Sequence, residues 1–99
     1  MQTKEELITL IDSDTSVLEE NDFMFNLIVW NDEVNTFEWV IQTLIEVCHH
    51  DVEQAEQCTL LIHHKGKCIV KSGSWEVLKP MHDGITDRGI GASIVELVQ

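Results

Sequence analysis

The stretch Met24-Phe25-Asn26-Leu27-Ile28-Val29-Trp30 is apolar at every position except Asn26, and Asn31-Asp32 end it abruptly. A run so short, rich in β-branched and aromatic residues and closed by turn formers, predicts a buried strand followed by a turn. The folded part of the chain therefore begins near Phe23, and the rest of the sequence must cover this strand. Asn35-Thr36-Phe37-Glu38 supplies a helix start. Asn35 is a good N-cap with Glu38 three residues on, as in a capping box, and Val34 and Trp39 are spaced for a hydrophobic staple. Phe37, Val40, Ile41, Leu44 and Cys48 follow at the 3–4 spacing of one buried helical face. His49-His50 are expected on the surface near the helix C-terminus. Asp51 caps a second helix with Ala55, Cys58 and Ile62 inward, which stops around Lys65-Gly66.

Lys67 to Ser72 alternates, with Cys68 and Val70 on one side, and predicts a second strand. Gly73-Ser74 turns the chain. Val77, Leu78, Met81 and Ile85 form a third helical pattern, complicated by Pro80, which removes a backbone donor in a helix interior. Either the helix begins at Pro80, in the favoured first position, or a short turn precedes it. Gly89 ends the helix, and Ile90, Ala92, Ile94 and Leu97 fit a last strand. The order strand, two helices, strand, helix, strand predicts a small α/β (α+β) domain, a sheet with helices packed on one face.

Ninety-nine residues hold one such domain. With 6 basic and 18 acidic residues the net charge is −12. That argues against a nucleic-acid partner, because neutralising phosphates needs Lys and Arg, and against an anionic membrane surface for the same reason. No apolar stretch approaches the ~18 residues of a membrane span. No secretory leader is expected either, since Met1 to Glu6 lack a basic start leading into an apolar run. Residues 1–22 carry one lysine and seven acids, half of the net charge on under a quarter of the chain. They are expected to form an acidic, flexible N-terminal extension to a core domain at residues 23–99.

Few residues offer catalytic chemistry. There is no Gly-rich phosphate loop, nucleophile elbow or helical metalloprotease motif. Cys48, Cys58 and Cys68 fall at core-facing positions, where a thiol behaves as a small hydrophobe. An odd cysteine count does not make a disulfide framework. The five histidines and three cysteines could bind zinc by composition, but no spacing matches a paired-ligand site. No catalytic residue, metal or cofactor is therefore expected. The polar turn Asn31-Asp32-Glu33-Val34-Asn35 is the most informative cluster. Two carboxylates and two amide oxygens in five residues suit an ammonium group, which only donates hydrogen bonds. His63, one turn after Thr59 and beside Ile62, could add an imidazole acceptor.

The ordered set Asn31-Asp32-Glu33, Phe37-Glu38-Trp39-Val40, Ala55-Glu56-Gln57 and Ile62-His63-His64-Lys65-Gly66-Lys67 resembles the ClpS family of adaptor proteins over about residues 24–78. The resemblance implies a three-stranded antiparallel sheet packed against three helices. It also implies a cytoplasmic, monomeric adaptor without enzymatic activity. Such an adaptor binds proteins whose first residue is a bulky hydrophobe (an N-degron) and delivers them to a ClpA- or ClpC-type AAA+ unfoldase that feeds the ClpP protease. The acidic extension would serve in substrate hand-over.

By position, the resemblance assigns Asn31, Glu33 and His63 to the substrate α-amino group, with Asp32 in the same turn. Asn35, Phe37, Thr59 and Ile62 match pocket walls, and Glu76 falls near the unfoldase-docking surface. The chain departs from the family pattern at several of these points. Glu33 stands for Asp, Thr36 for Pro, Phe37 for Met and Thr59 for Met, and Pro80 interrupts the third helix. The departures at Glu33 and Phe37 define an alternative, a regulator that docks on the unfoldase without binding N-degrons. A small metal-binding domain is the remaining alternative.

Overall fold

The computed structural model describes residues 25–97. The acidic extension expected at residues 1–22, and Met24 of the first apolar run, lie outside the described residues. The elements run in the expected order: β1 (Phe25–Trp30), α1 (Phe37–Cys48), α2 (Val52–Lys65), β2 (Lys67–Gly73), α3 (Trp75–Asp87) and β3 (Ala92–Glu96). They form a three-stranded antiparallel sheet in the order β2-β1-β3, as the resemblance implied. The most apolar strand therefore takes the centre, with a partner on each edge. Leu27 pairs with Lys71 on one side and Ile94 on the other.

The pleat sends Leu27 and Val29 to the face that the helices cover, where they meet Leu44, Cys48, Ala55, Ile62, Leu78 and Ile85 in one continuous core. The opposite face leaves Trp30, Ile69 and Val95 exposed. There Lys67 lies over the Trp30 ring at 5.1 Å. All three cysteines are buried and free. Burial pushes the Cys48 thiol up to about 11 and the Cys68 thiol up to about 12. Thiols held protonated in this way are poor nucleophiles and metal ligands.

Capping differs from expectation at one helix and agrees at another. Asp51 caps α2, its carboxylate accepting from Gln54 N at 2.7 Å. The N-cap of α1 is Thr36, not Asn35: Thr36 Oγ1 accepts from Trp39 N at 3.1 Å. Asn35 is drawn away by stronger partners described below. The staple does not form, because Val34 is 88% exposed. A second correction concerns the paired histidines. His49 is exposed and takes the left-handed conformation that ends α1 (φ +60°). His50 is only 4% exposed, and its Nε2 donates to Val70 O at 2.8 Å. The β1–β2 register shifts between Leu27 and Ile28, leaving Val70 without a pair, and His50 takes up its carbonyl.

Pro80 lies inside α3, not at its start. Ser74 caps the helix, accepting from Val77 N, and five residues precede Pro80. Pro80 removes a donor to Glu76 O, but both residues are exposed and water can reach that carbonyl. Gly84, also within α3, lets the helix approach α1 closely; a Cβ there would meet Val47 at 3.0 Å.

Inside α1, Thr43 is fully buried and its Oγ1 has no hydrogen-bond partner. A buried hydroxyl without a partner carries its full desolvation cost, and Val has nearly the same shape. Thr43→Val is therefore expected to stabilise the fold by about 1 kcal/mol. Chemical denaturation checks this, and an unchanged or lower stability refutes it.

Candidate functional site

The site forms where β1 runs into α1. Trp30 N donates to Gly91 O at 3.0 Å and Asn31 N to Gly66 O at 2.9 Å, so the turn leaves the sheet between two neighbouring segments. Gly66 closes α2 in the left-handed conformation (φ +91°), its own N–H returning to Ile62 O. An L-residue pays a steric cost there, which glycine avoids. That one closing residue places Asn31 beside the last turn of α2 and so beside His63.

Within the turn, Asp32 is an organiser. Its Oδ1 accepts from Val34 N at 2.8 Å and from Asn35 N at 2.7 Å, and its Oδ2 accepts from Asn35 Nδ2 at 2.7 Å. These donors, the Asn35 backbone N–H foremost, hold the Asp32 carboxyl below its ordinary range, with partial burial opposing them. The carboxylate is thus already engaged. Glu33 and the Asn31 side chain have no hydrogen-bond partner among the described residues, and both are exposed.

A concavity of about 350 Å³ opens beside this turn, lined by Asn31, Asp32, Glu33, Asn35, Thr36, Phe37, Val40, Thr59, Ile62 and His63. Every residue that the sequence assigned to the amine site or the pocket thus borders one space. Glu76 does not; it is exposed in the first turn of α3 between the half-exposed Trp75 and Val77. The concavity is chemically divided. Asn31, Asp32, Glu33 and His63 supply the polar rim. Val40 and Ile62 are buried apolar walls. Thr59 Oγ1 donates back to Ala55 O at 2.8 Å, so the hydroxyl is satisfied within its own helix and the methyl is left for packing. Phe37 stands edge-to-face against the His63 ring, centroids 5.2 Å apart. His63 in turn meets the His64 ring at 5.1 Å. The imidazole is therefore positioned by rings while its nitrogens have no partner among the described residues.

Two lining residues escaped the sequence reading of the site. They are Thr36 and Val40, which line the concavity but are not among the residues that the sequence points to for the amine site or the pocket. The signal for Val40 was present: three residues after Phe37, it shares that helical face. Among the described residues no group of three or more His, Cys, Asp or Glu side chains is placed to hold a metal ion. Nor is any helix there long and apolar enough to cross a membrane.

Fold and site together define a small α+β domain with an open, acceptor-rimmed concavity at the end of its central strand. The family model of the ATP-dependent Clp protease adaptor protein ClpS matches residues 20–91, and the chain belongs to the ClpS family. A ClpS adapter protein of Campylobacter jejuni is 41% identical over 46 residues, which are 46% of this chain and 48% of that protein. One from Acetivibrio thermocellus is 28% identical over 71 residues, 72% of each chain. The match to the Campylobacter jejuni relatives thus spans about half their length. Among solved structures, Agrobacterium tumefaciens ClpS2 bound to L-phenylalaninamide superposes with a TM-score of 0.65 at 15% identity. That covers 76% of this chain and 98% of the other and shows the common fold.

Proposed function

We propose that this chain is a substrate adaptor of a Clp protease, binding proteins through a free α-amino group followed by a bulky hydrophobic first side chain. The observation that carries this reading is the two-part concavity, unengaged acceptors on one rim and apolar walls below. An ammonium group is all donor and needs acceptors on several sides. Asn31, Glu33 and His63 offer them without being released from other bonds, and Asp32 holds the turn that presents two of them. A hydrogen bond to a charged group contributes about 1.5–3 kcal/mol, enough for two or three to separate a chain terminus from an internal residue. The concavity lies at the small end of the ~300–1,000 Å³ range of ligand pockets, which suits one side chain and its amine. The amino-acid amide bound by the Agrobacterium tumefaciens structure is a ligand of this kind.

Delivery to a ClpA- or ClpC-type unfoldase belongs to the same reading. Glu76, flanked by exposed Trp75 and Val77, is the candidate docking surface. The acidic residues 1–22 are the candidate hand-over segment. On this reading the protein works in the cytoplasm, beside the protease, and performs no catalysis itself.

The test is a panel of labelled peptides that differ only in a free first residue: Phe, Leu, Trp, Met and Ser. Peptides starting with Phe, Leu or Trp are expected to bind at least about tenfold more tightly than the Ser peptide, the difference that burying ~1.5–3 kcal/mol of apolar side chain makes. Equal affinity for Phe and Ser removes the pocket from the reading. No binding by any of them, with retained unfoldase binding, establishes the docking regulator instead.

A further inference from the structure

We propose that Asn35 is a positioning residue, whose carboxamide clamps the amine-binding turn to the end of α3 by bridging the Asp32 carboxylate and the Gly89 carbonyl. The inference rests on the binding function proposed above for this concavity. Asn35 Nδ2 donates to Asp32 Oδ2 at 2.7 Å and to Gly89 O at 2.9 Å. Both acceptors are oxygens, so the amide group must face them with its NH2, and both of its hydrogens are engaged. Only Oδ1 is left, on a residue that lines the concavity.

Among the described residues, the turn from Asn31 to Asn35 is joined to the rest of the domain by two hydrogen bonds. One is at its start, from Asn31 N to Gly66 O, and one at its end, from Asn35 Nδ2 to Gly89 O. Both acceptors are glycines in the left-handed region, Gly66 at φ +91° closing α2 and Gly89 at φ +85° following α3. Each conformation reverses the chain at a helix end. The recognition turn is therefore suspended between two helix termini that are remote in sequence. The α3 end is itself anchored to α1. Trp39 Nε1 donates to Arg88 O at 3.0 Å, and the Arg88 guanidinium reaches Glu46 at 2.6 Å. Asp32 acts on the ligand through this clamp, by holding Asn35 and the backbone of the turn. Glu33, one residue on, makes the contact.

Asn35→Asp tests the clamp with little change of shape. It replaces both donors by a carboxylate facing Asp32 Oδ2 and the Gly89 carbonyl. Two carboxylates in one site cannot both stay ionised without cost, and one takes up a proton as pH falls. The other titratable or charged groups on the segments around Asn35 are Glu33 in the turn, Glu38 in the first turn of α1, His63 from α2, and Asp87 and Arg88 just before Gly89. All are common to both proteins, so their effects cancel in a ratio. At pH 7.5 the variant is expected to bind a free Phe-first peptide at least tenfold more weakly than the native protein, with the ratio shrinking as pH falls to 5.5. A ratio near one, or a ratio independent of pH, overturns the clamp.

A second measurement stands independently of peptide binding and of whether Asn35→Asp folds. Asn35→Ala is expected to lower the melting temperature less in an Asp32→Ala background than in the native chain, because one of its two acceptors is already gone. An equal drop in both backgrounds overturns the clamp. A native protein that binds no free-amine peptide overturns the binding function and leaves this coupling to be judged alone.

Discussion

Acetylating the α-amino group of a Phe-first peptide is expected to weaken its binding by about 100-fold or more. An ammonium carries three N–H donors and a full charge; the acetylated nitrogen carries one donor, no charge and added bulk. Asn31, Glu33 and His63 would then face a ligand that can satisfy one of them. Each charge-assisted bond contributes about 1.5–3 kcal/mol, so two lost bonds amount to about 3–6 kcal/mol. Glu33 and His63 are exposed, and water re-solvates them when the ligand fails, which favours the lower end of that range. About 3 kcal/mol is about 100-fold in affinity. Titrating free and acetylated peptides under one set of conditions decides the matter, and equal affinities would remove the amine from the recognition mechanism. His63→Ala should weaken the free peptide by about tenfold, the equivalent of a single bond.

Leu27→Ala is expected to cost about 3–4 kcal/mol of stability. Leu27 is fully buried at the middle of the central strand, between Lys71 and Ile94, beneath the helices that carry Leu44 and Leu78. Truncating a buried Leu loses its transfer free energy and leaves a cavity, together about 2–5 kcal/mol. A strand hydrogen-bonded on both edges cannot shift to fill the gap, which places Leu27 in the upper part of that range. A domain of this size has only about 5–15 kcal/mol to lose. Urea denaturation measures the change, and a loss under about 1 kcal/mol would mean that the core does not close over this strand.

Much of this was legible in the residues. Periodicity located three helices and three strands because the buried apolar residues of each helix recur at 3–4 spacing, and because β1 is apolar on both of its faces. Asp51 and Gly66 were readable as helix boundaries because the bonds that fix them, to Gln54 N and Ile62 O, lie within the helix they bound. Asn35 and Thr36 show where local reading stops. Both are good N-caps, one residue apart, and their side chains alone do not choose. The choice falls to Gly89, 54 residues away in sequence, whose carbonyl, with Asp32, claims the Asn35 amide and leaves Thr36 to cap α1. His50 is a similar case. Its neighbours suggest a solvated helix end, and only the register shift in β2 presents the Val70 carbonyl that draws the imidazole inside.

The roles within the acidic turn divide along the same line. Sequence by itself determined that acceptors cluster after the central strand and that a histidine ends the second helix, since composition and spacing are local properties. Tertiary structure alone decided that these groups border one concavity, and which carboxylate is engaged and which is unengaged. The physical reason is that a hydrogen-bonding group goes to its best available partner. For Asp32 that partner is within the turn; for Asn35 it includes a backbone carbonyl that only the folded chain brings near.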